Sequence, residues 1–377
     1  MNVVVLRETQ PGEARVALMP ESVRKLVGLN VQVKIESNAG LSAAVTDAGY
    51  GEAGAEVSTD RSALLAAADI FVVVNRPPAE DFAQLKSGAA VFGFLRPLDE
   101  AAALEPAVHQ QVTTFAVELI PRITRAQAMD ALSSMATVAG YKAVVIAAGL
   151  SPRMFPLLMT AAGTVKPARV LVLGAGVAGL QAIATARRLG AVVESYDVRA
   201  AAGEQVRSLG ATFLEVDLGG IKTEDAGGYA VELSDEALKR GRDLIAEHAR
   251  TADVIVTTAQ VPGRRAPLLI TEEAVHGMKR GSVVVDLAGA TGGNCALSRP
   301  DETVELNGVR IIAPTNLPAT IPVHASQLYS RNATAFLSLL IRDGQLNIDL
   351  QDDVVGPSCV THQGKVVNQR VAAAQSK

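Results

Sequence analysis

Short runs of β-branched and other apolar residues alternate with segments of helical periodicity along most of the 377-residue chain. In the N-terminal region the predicted strands are "NVVVL", "VQVKIE", "DIFVVVN", "AAVFGF" and "TTFAVEL", and helical patterns such as "PESVRKLVGL" and "DRSALLAAA" lie between them. Such alternation is typical of parallel sheets that carry helices on both faces.

A second series of predicted strands follows Pro167, namely "RVLVLG", "AVVESYD", "TFLEVD", "DVIVTTA", "SVVVDLA" and "VRIIAP". Residues 130–149 and 324–341 are predicted helices, and the second should return the chain to the first domain, before a polar, weakly patterned tail. Right-handed crossovers make each half a doubly wound sheet. We therefore predict an α/β fold of two Rossmann-like domains separated by a cleft: residues 1–133 completed by about 320–377, and residues 134–319.

Composition narrows the class of protein. Apolar residues make up 49% of the chain and charged residues 20%, as in compact globular proteins, and the net charge of −4 comes without a basic stretch suited to nucleic acid. Cys295 and Cys359 lack metal-type spacing and suit a reducing compartment. With that cysteine spacing we expect no metal site. The N-terminus lacks signal-peptide features, and the longest uncharged window contains three prolines, so we expect no direct membrane insertion.

A glycine fingerprint opens the second series. Gly174, Gly176 and Gly179 follow a predicted strand and begin a helix, where they suit a tight turn, close approach of a pyrophosphate and close helix packing. Asp197 ends the next predicted strand, where its carboxylate would accept hydrogen bonds from a ribose 2′-OH and repel a 2′-phosphate. This favours NAD(H) over NADP(H). Arg199 leaves three alternatives open: a partner for the phosphate of NADP, a solvated side chain, or a partner of Asp197.

Two glycine-rich segments follow predicted strands at the same edge. Residues 217–236 include Gly228 and Tyr229, and this segment is either a loop that closes over the cofactor or an ordinary surface loop. The segment "DLAGATGGN", residues 286–294, is interpreted as structural rather than catalytic.

Polar residues also follow the last predicted strand of the first domain. The segment "PRITRAQAMDALSS" contains Arg122, Gln127, Asp130 and Ser133. A glutamine matches the donor and acceptor of a nicotinamide carboxamide, and Arg122 could hold the loop through Asp130. The alternative is a capped helix start, in which Asp and Ser are common.

Four stretches carry a family resemblance: "RETQPGEARVALMPESVRKLVGLNVQV", "PRITRAQAMDALSSMATVAGYKAV", "AAGTVKPARVLVLGAGVAGLQAIATARRLGA" and "AGGYAVELSDE". Together they resemble the NAD(H)-binding soluble component, called domain I, of proton-translocating nicotinamide nucleotide transhydrogenase. The resemblance covers nearly the whole chain. The surrounding superfamily includes alanine dehydrogenase, which shares the fold and an "ARVALMPE"-like start.

The resemblance implies roles for individual residues. It assigns the positioning of the nicotinamide to Arg122, Gln127 and Asp130, with Ser133 and Tyr141 as polar residues of the same site. It assigns cofactor binding to the turn and strand end, at Val177, Asp197, Val198 and Arg199, and places Tyr229 at the tip of a mobile loop, beside Gly228. Gln260 stands at a cofactor-contact position where the family carries an apolar residue, so its role is left open.

The chemistry separates transhydrogenase from alanine dehydrogenase. Oxidation of an amino acid requires proton transfer, and alanine dehydrogenases carry a lysine and a histidine where this chain has Asn75 and Arg96. Neither side chain is a base near neutral pH, although Arg15, which resembles the substrate-carboxylate arginine, is present. Hydride transfer between two nicotinamide rings needs the rings close and aligned but needs no proton carrier.

One fingerprint implies one dinucleotide for each chain. We therefore expect NAD(H) here, NADP(H) on a partner subunit, and proton passage through a membrane-spanning partner, while the resemblance implies a homodimer. We expect a separate cytoplasmic polypeptide, peripheral on the inner face of the cytoplasmic membrane, or alternatively a fragment of a longer chain. The competing hypotheses are an alanine-dehydrogenase-like oxidoreductase and an NAD(H)-binding regulatory module.

Overall fold

The computed structural model describes residues 1–216, 234–260 and 264–375. The chain forms two compact units, the first comprising Met1–Met135 with Pro318–Lys377 and the second comprising Ala136–Leu317. The tail therefore belongs to the same unit as the N-terminus.

The strands of the described residues are β1 (Asn2–Val5), β2 (Gln32–Glu36), β3 (Glu56–Ser58), β4 (Ile70–Asn75), β5 (Ala90–Phe94), β6 (Thr113–Ala116), β7 (Leu158–Thr160), β8 (Gly163–Val165), β9 (Arg169–Leu173), β10 (Val192–Tyr196), β11 (Thr212–Leu214), β12 (Val254–Thr257), β13 (Val283–Asp286), β14 (Thr303–Leu306), β15 (Val309–Ile312), β16 (Ile341–Arg342), β17 (Gln345–Leu346), β18 (Cys359–His362) and β19 (Lys365–Val366).

Their α-helices are α1 (Pro20–Val27), α2 (Asp47–Glu52), α3 (Arg61–Ala67), α4 (Ala79–Gln84), α5 (Glu105–His109), α6 (Ala131–Leu150), α7 (Val177–Arg188), α8 (Ala202–Ser208), α9 (Asp235–Ala249), α10 (Glu272–His276), α11 (Pro322–Leu340), α12 (Val355–Ser358) and α13 (Gln369–Gln375). The described residues also form short 3₁₀ helices, one of them at Thr124–Met129.

The first unit is built on an eight-stranded sheet in the order β19-β18-β6-β5-β4-β1-β2-β3. Strands β1 to β6 run parallel, and β1 lies between β2 and β4. Because the chain leaves β1 for β2 on one side and later resumes at β4 on the other, the switch point of this sheet lies between β1 and β4. Ligands of such sheets bind beyond the carboxyl ends of the strands at this point.

The tail adds two strands that the sequence pattern did not predict. Strand β18 pairs antiparallel with β6, and β19 pairs antiparallel with β18. Three of the four residues of β18 are buried, yet Pro357 precedes it closely and Gly364 follows it. Its sequence begins with the apolar residues Cys359 and Val360 but continues with polar Thr361 and His362, so its pattern is weaker than that of the predicted strands. The sheet is therefore mixed at this edge rather than wholly parallel.

The second unit is built on a seven-stranded sheet in the order β11-β10-β9-β12-β13-β15-β14. All neighbours are parallel except β14, which pairs antiparallel with β15. Alternate residues of β9 enter different cores, since Val170 and Val172 pack on one face and Leu171 and Leu173 on the other. Burial of both faces explains the continuous apolar run of this strand. Its switch point lies between β9 and β12.

Helix α6 contributes Ala143, Val144 and Ala147 to the core of the second unit. A side chain at Gly140 would meet the Ala178 carbonyl oxygen at 2.1 Å, so the backbones of α6 and α7 lie in close contact. Within the described residues, α6 is also the one helix long and apolar enough to cross a membrane. Core helices of small residues meet the same criteria, so this composition by itself is weak support for a membrane span.

Candidate nucleotide-binding site

The turn after β9 depends on glycine. Gly174 has φ of +98° and donates its N–H to the carbonyl oxygen of Tyr196 at 2.8 Å. A Cβ at this position would stand 2.6 Å from Oγ1 of Thr258, a hydroxyl that itself donates to the Gly174 carbonyl oxygen at 3.1 Å. Both the backbone conformation and the lack of space therefore exclude other residues here.

The other two fingerprint glycines have different surroundings. A Cβ at Gly179 would lie 1.8 Å from the carbonyl oxygen of Gly174, so the first turn of α7 packs directly on the glycine turn. A Cβ at Gly176 would meet nothing within 4 Å. Gly176 therefore faces open space at the N-terminus of α7, and Val177, the first residue of that helix, is exposed. A pyrophosphate fits this arrangement, because a helix N-terminus offers unpaired N–H groups and a partial positive charge.

Asp197, directly after β10, accepts four hydrogen bonds. Its Oδ2 accepts from the backbone N–H of Ala175 at 2.7 Å and from Nη2 of Arg199 at 2.8 Å. Its Oδ1 accepts from the backbone N–H and Nε of Arg199 at 2.8 and 2.9 Å. Of the three alternatives for Arg199, the structure therefore has the partner of Asp197. The carboxylate also fixes the glycine turn through Ala175, and neighbouring Val198 packs partly buried against the core.

The segment "DLAGATGGN" forms an internal hydrogen-bond network. Asp286 is fully buried and accepts from Thr257 Oγ1, from Ser298 Oγ and from the backbone N–H groups of Ala288, Asn294 and Cys295. These bonds commit both carboxylate oxygens to holding the shape of the glycine-rich turn. The segment therefore has the structural role that its sequence indicated.

Asn294, the last residue of this segment, has a structural role as well. Its side-chain amide accepts from the N–H of Ala259 at 3.1 Å and donates to the carbonyl oxygens of Ala259 and Pro267 at 2.9 and 2.8 Å. It thereby fixes the backbone after β12, next to exposed Gln260, which donates to the Leu287 carbonyl oxygen at 2.6 Å. Gln260 thus lies beyond the carboxyl end of β12, the strand that neighbours β9 at the switch point.

Two predicted cofactor residues, Gly228 and Tyr229, lie outside the described residues. The other predicted site residues, for cofactor binding and for catalysis, are divided between the two units. Gly174, Gly176, Gly179, Asp197 and Arg199 meet at one strand edge of the second unit, whose α6 also carries exposed Tyr141. The segment with Arg122, Gln127, Asp130 and Ser133 belongs to the first unit.

Within the first unit, this segment forms the 3₁₀ helix Thr124–Met129 and then the start of α6. Arg122 and Gln127 are exposed. Asp130 accepts from the backbone N–H and the hydroxyl of Ser133 at 2.9 and 2.6 Å, which is the geometry of a helix cap. The capped helix start is therefore present, and it leaves the side chain of Gln127 accessible.

The switch point of the first unit holds a cluster that the sequence interpretation only partly found. Nδ2 of Asn75 donates to Oε2 of Glu13 at 2.8 Å and to Oε2 of Glu8 at 3.2 Å. Glu13 in turn pairs with Arg15, whose Nε and Nη2 lie 2.8 and 2.6 Å from its two oxygens. Both amide hydrogens of Asn75 are thus committed, and Arg15 is neutralised by a buried carboxylate.

The pKa values of the two carboxyl groups in this cluster are shifted in opposite directions. Burial raises the pKa of Glu8 to about 7, against the hydrogen bonds that it accepts from Val74 and Asn75. Although burial opposes ionisation of Glu13 as well, the hydrogen bonds and charge of Arg15 lower the pKa of Glu13 to about 2. Glu8 and Glu13 were missed because each looks like an ordinary loop residue. Placing β1 at the centre of its sheet would have identified both at the switch point.

Arg96, which stands where alanine dehydrogenases carry a histidine, contacts two glutamates. Its Nη1 lies 3.0 Å from Glu100 Oε1, and its backbone N–H donates to Glu118 at 2.7 Å. Neither Asn75 nor Arg96 therefore offers a proton acceptor. Glu8 titrates near neutral pH, but its two oxygens already accept from the end of β4.

A doubly wound sheet, a glycine turn at its switch point and an open helix N-terminus define the second unit as a dinucleotide-binding α/β domain. The chain belongs to the alanine dehydrogenase/PNT family: residues 4–139 match the N-terminal domain of that family, and residues 143–369 match its C-terminal domain. The resemblance read from the sequence is thereby confirmed.

Individual relatives refine this placement. The chain is 46% identical over 376 residues to the first part of the NAD(P) transhydrogenase alpha subunit of Rhodospirillum rubrum, with 98% of both chains covered. Its structure is similar to that of a transhydrogenase from Sinorhizobium meliloti, with a TM-score of 0.86, 42% identity and coverage of 98% and 99%. An L-alanine dehydrogenase structure is similar with a TM-score of 0.84 but at 26% identity, with coverage of 100% and 99%. The two-domain Rossmann-like fold is confirmed, and the transhydrogenases are the nearer of these relatives in sequence.

Proposed function

We propose that this chain is the NAD(H)-binding subunit of a proton-translocating transhydrogenase, which exchanges hydride between NAD(H) and NADP(H). The observation that carries the proposal is the closed cluster at the switch point of the first unit. Where an alanine dehydrogenase needs a proton carrier, Asn75 is hydrogen-bonded to two carboxyl groups, and Arg15 is already paired with Glu13. Transfer of a hydride between two nicotinamide rings requires neither a proton carrier nor an arginine that binds a substrate carboxylate. The similarity to transhydrogenase subunits over the whole chain supports the same function.

The residues of the second unit would bind NAD(H). The open position at Gly176 and the N-terminus of α7 suit the pyrophosphate, with Val177 beside it. Asp197 would accept from a ribose hydroxyl, which requires the side chain of Arg199 to release at least one oxygen. Gly228, Tyr229 and Gln260 are proposed as further cofactor contacts.

The residues of the first unit would orient the reacting ring. Gln127 is exposed, so its amide can both donate to and accept from a nicotinamide carboxamide. Asp130 and Ser133 hold the start of α6, and we assign Arg122 and Tyr141 to the same site. Bound NADH would donate the transferred hydride and bound NAD⁺ would accept it, while these side chains would set the distance and angle at which it moves.

A single glycine fingerprint accounts for one dinucleotide, so NADP(H) is proposed to bind to a partner subunit. Proton translocation is assigned to a membrane-spanning partner, which would hold this chain as a peripheral subunit on the cytoplasmic face. The Rhodospirillum rubrum relative is named as a portion of an alpha subunit, and this name supports assembly into a complex.

We also propose that the chain forms a homodimer through the β7–β8 hairpin. These two strands pair only with each other among the described residues, and an isolated hairpin is marginally stable in water. The side chains of Met159 and Val165 are 78% and 44% exposed, and Leu157 beside them is also exposed. A second copy of the same surface would cover this apolar patch.

Reconstitution tests the function. The purified chain is combined with the NADP(H)-binding and membrane components of a relative, and reduction of an NAD⁺ analogue of distinct absorbance by NADPH is followed. Exchange that requires both preparations supports the proposal. Oxidation of L-alanine with NAD⁺ by the chain alone would favour an alanine-dehydrogenase-like enzyme. NADH binding without exchange in the reconstituted mixture would favour a regulatory module.

A further inference from the structure

The segment that carries Gln127 depends on its neighbours for its shape. It is a 3₁₀ helix of six residues, Thr124–Met129, in which Ala126 and Met129 are buried and Gln127 is exposed. Runs of 3₁₀ helix longer than about 3–4 residues are uncommon because their hydrogen-bond geometry is poor. The position of Gln127 must therefore be fixed by contacts from outside the segment.

The tail of the chain supplies one such contact. Nη2 of Arg125 lies 2.7 Å from Oδ2 of Asp352, and Nη1 of the same guanidinium donates to Asp353. Asp352 is itself fixed, since its Oδ1 accepts from the backbone N–H groups of Val354 and Val355 at 2.8 and 3.0 Å. The hydrogen bond from Arg125 lowers the pKa of Asp352 to about 2, so this carboxylate stays ionised at any ordinary pH.

Helix α11 supplies the second contact, on the other side of Gln127 along the chain. Nδ2 of Asn332, which is buried, donates to the carbonyl oxygen of Ala128 at 2.8 Å. Gln127 thus stands between one residue tied to the tail and another tied to α11, and all of these residues belong to the first unit.

We infer that Arg125, Asp352 and Asn332 are positioning residues for hydride transfer: they hold the Gln127 segment in the conformation that orients the nicotinamide. This inference rests on the function proposed above. It also assigns a role to the tail, which acts on the reaction through the Arg125–Asp352 contact and touches no reacting atom.

The contact affects rate more than stability. An exposed ion pair contributes little to the free energy of folding, and Arg125 is 46% exposed. Misplacement of a reacting group by about 1 Å, however, slows a reaction by up to about 100-fold. Loss of one of two contacts should displace Gln127 by less than that, so we expect a decrease in kcat of roughly 3- to 10-fold.

The test uses the reconstituted complex and the variants Arg125→Ala, Asp352→Asn and Arg125→Lys. Asparagine keeps the Oδ1 acceptor for Val354 and Val355 but removes the charge opposite Arg125, so the turn itself should persist. Lysine keeps the charge but replaces the guanidinium that bonds both Asp352 and Asp353, so Arg125→Lys should give a kcat between those of Arg125→Ala and wild type. Arg331→Ala is the matched control, because Arg331 lies on α11 and forms an exposed pair with Glu21 at 2.9 Å.

Arg125→Ala and Asp352→Asn should each lower kcat while KM for the NAD⁺ analogue and affinity for NADH stay within about twofold. The double variant should be no slower than Arg125→Ala, because that substitution already removes the contact that Asp352→Asn weakens. Arg331→Ala should match wild type. If Gln127→Ala slows exchange but both single variants match wild type, or if Arg331→Ala slows it equally, the inference is wrong and the proposed function stands. If wild type itself exchanges no hydride, the proposed function is lost and this inference with it.

Discussion

Asp197 and Arg199 form a two-point ion pair at the carboxyl end of β10, with Nε and Nη2 of the arginine 2.9 and 2.8 Å from the two carboxylate oxygens. The N–H of Ala175 occupies a further position on the same carboxylate. The acidic residue that should recognise a ribose is thus also the residue that restrains the nearest arginine. We therefore expect selectivity between NAD(H) and NADP(H) to depend on the pair rather than on Asp197 alone.

We expect Asp197→Asn to shift selectivity toward NADPH. The substitution removes the charge that repels a 2′-phosphate and releases Arg199 to pair with it. A charge-assisted hydrogen bond contributes about 1.5–3 kcal/mol, so the ratio of NADPH to NADH affinity should rise by about tenfold or more. Fluorescence titration with each nucleotide measures it. The double variant with Arg199→Ala is the control and should lose most of the gain; an unchanged ratio in Asp197→Asn would contradict this account.

Gly176→Ala and Gly179→Ala form a matched pair within one turn. At Gly176 the added methyl group meets open space, so the melting temperature should stay near that of wild type, while NADH affinity falls by about tenfold or more because the pyrophosphate loses its place. At Gly179 the methyl group would lie 1.8 Å from the Gly174 carbonyl oxygen. That change should destabilise the second unit by about 3 kcal/mol or more, which thermal unfolding detects. Equal affinity for NADH in Gly176→Ala and wild type would place the pyrophosphate elsewhere.

Gln127→Ala separates orientation from binding. The glutamine is exposed on a fixed segment, so its loss should leave the fold intact. We expect hydride exchange in the reconstituted complex to slow by about tenfold or more, while the Kd for NADH changes by less than about threefold. Gln84→Ala, at an exposed position at the end of α4, is the control and should have no effect. A parallel loss of affinity and rate in Gln127→Ala would make the residue a simple binding contact.

Glu8 predicts a pH dependence of stability. Its pKa is raised from 4.5 to about 7, so the folded protein favours the protonated form. The resulting stabilisation is complete below pH 4.5 and is lost as the pH rises through 7, by at most about 3 kcal/mol. Glu8→Gln mimics the protonated group and should be free of this loss, so the stability of the variant relative to wild type should increase between pH 5 and 8.

Urea unfolding of wild type and Glu8→Gln at each pH measures the difference in their free energies of unfolding. Glu13 has its pKa lowered to about 2, and its contribution is lost only as the pH falls from 4.5 toward 2, so the two groups act in separate windows. A constant difference between wild type and Glu8→Gln from pH 5 to 8 would show that Glu8 ionises normally.

Met159→Asp should weaken self-association. Met159 is the most exposed large apolar side chain of the hairpin, at 78%. Burying an unpaired carboxylate in a dimer interface is unfavourable, so the variant should elute as a monomer at concentrations where wild type is a dimer. Light scattering after size-exclusion chromatography measures the mass. Leu41→Asp, at another exposed apolar position, should leave the mass unchanged. A wild-type monomer, or a dimer that survives Met159→Asp, would remove the hairpin from the interface.

The sequence predicted most of what is regular in this fold. Strands buried on both faces, such as β9, have continuous apolar runs, and the glycine turn follows from local spacing alone. Strands β3 and β18 were missed because they contain few apolar residues, Val57 in β3 and Cys359 with Val360 in β18. These strands form because neighbouring strands, β2 for β3 and β6 for β18, provide partners for their backbone groups.

Polar contacts between distant parts of the chain were the least predictable. Arg125 and Asp352 are 227 residues apart, and Asn75 and Glu13 are 62 apart, so no local pattern joins them. Asp197 was found because its spacing from the turn is local, whereas its pairing with Arg199 remained one of several alternatives. The orientation of the Arg199 side chain decides between these alternatives, and that orientation is set by packing in the folded protein rather than by the local sequence.

The pairing of β18 with β6 has a consequence for biosynthesis. The second unit is continuous in the chain, so it is synthesised in full before the residues of β18 leave the ribosome. The first unit, although it begins at Met1, can complete its sheet and receive α11 only after that. Until then β6 presents an open edge, and open edges are sites of aggregation. The half of the molecule that is translated first is thus the half that matures last, and premature termination within the tail should harm the N-terminal fold while sparing the nucleotide-binding one.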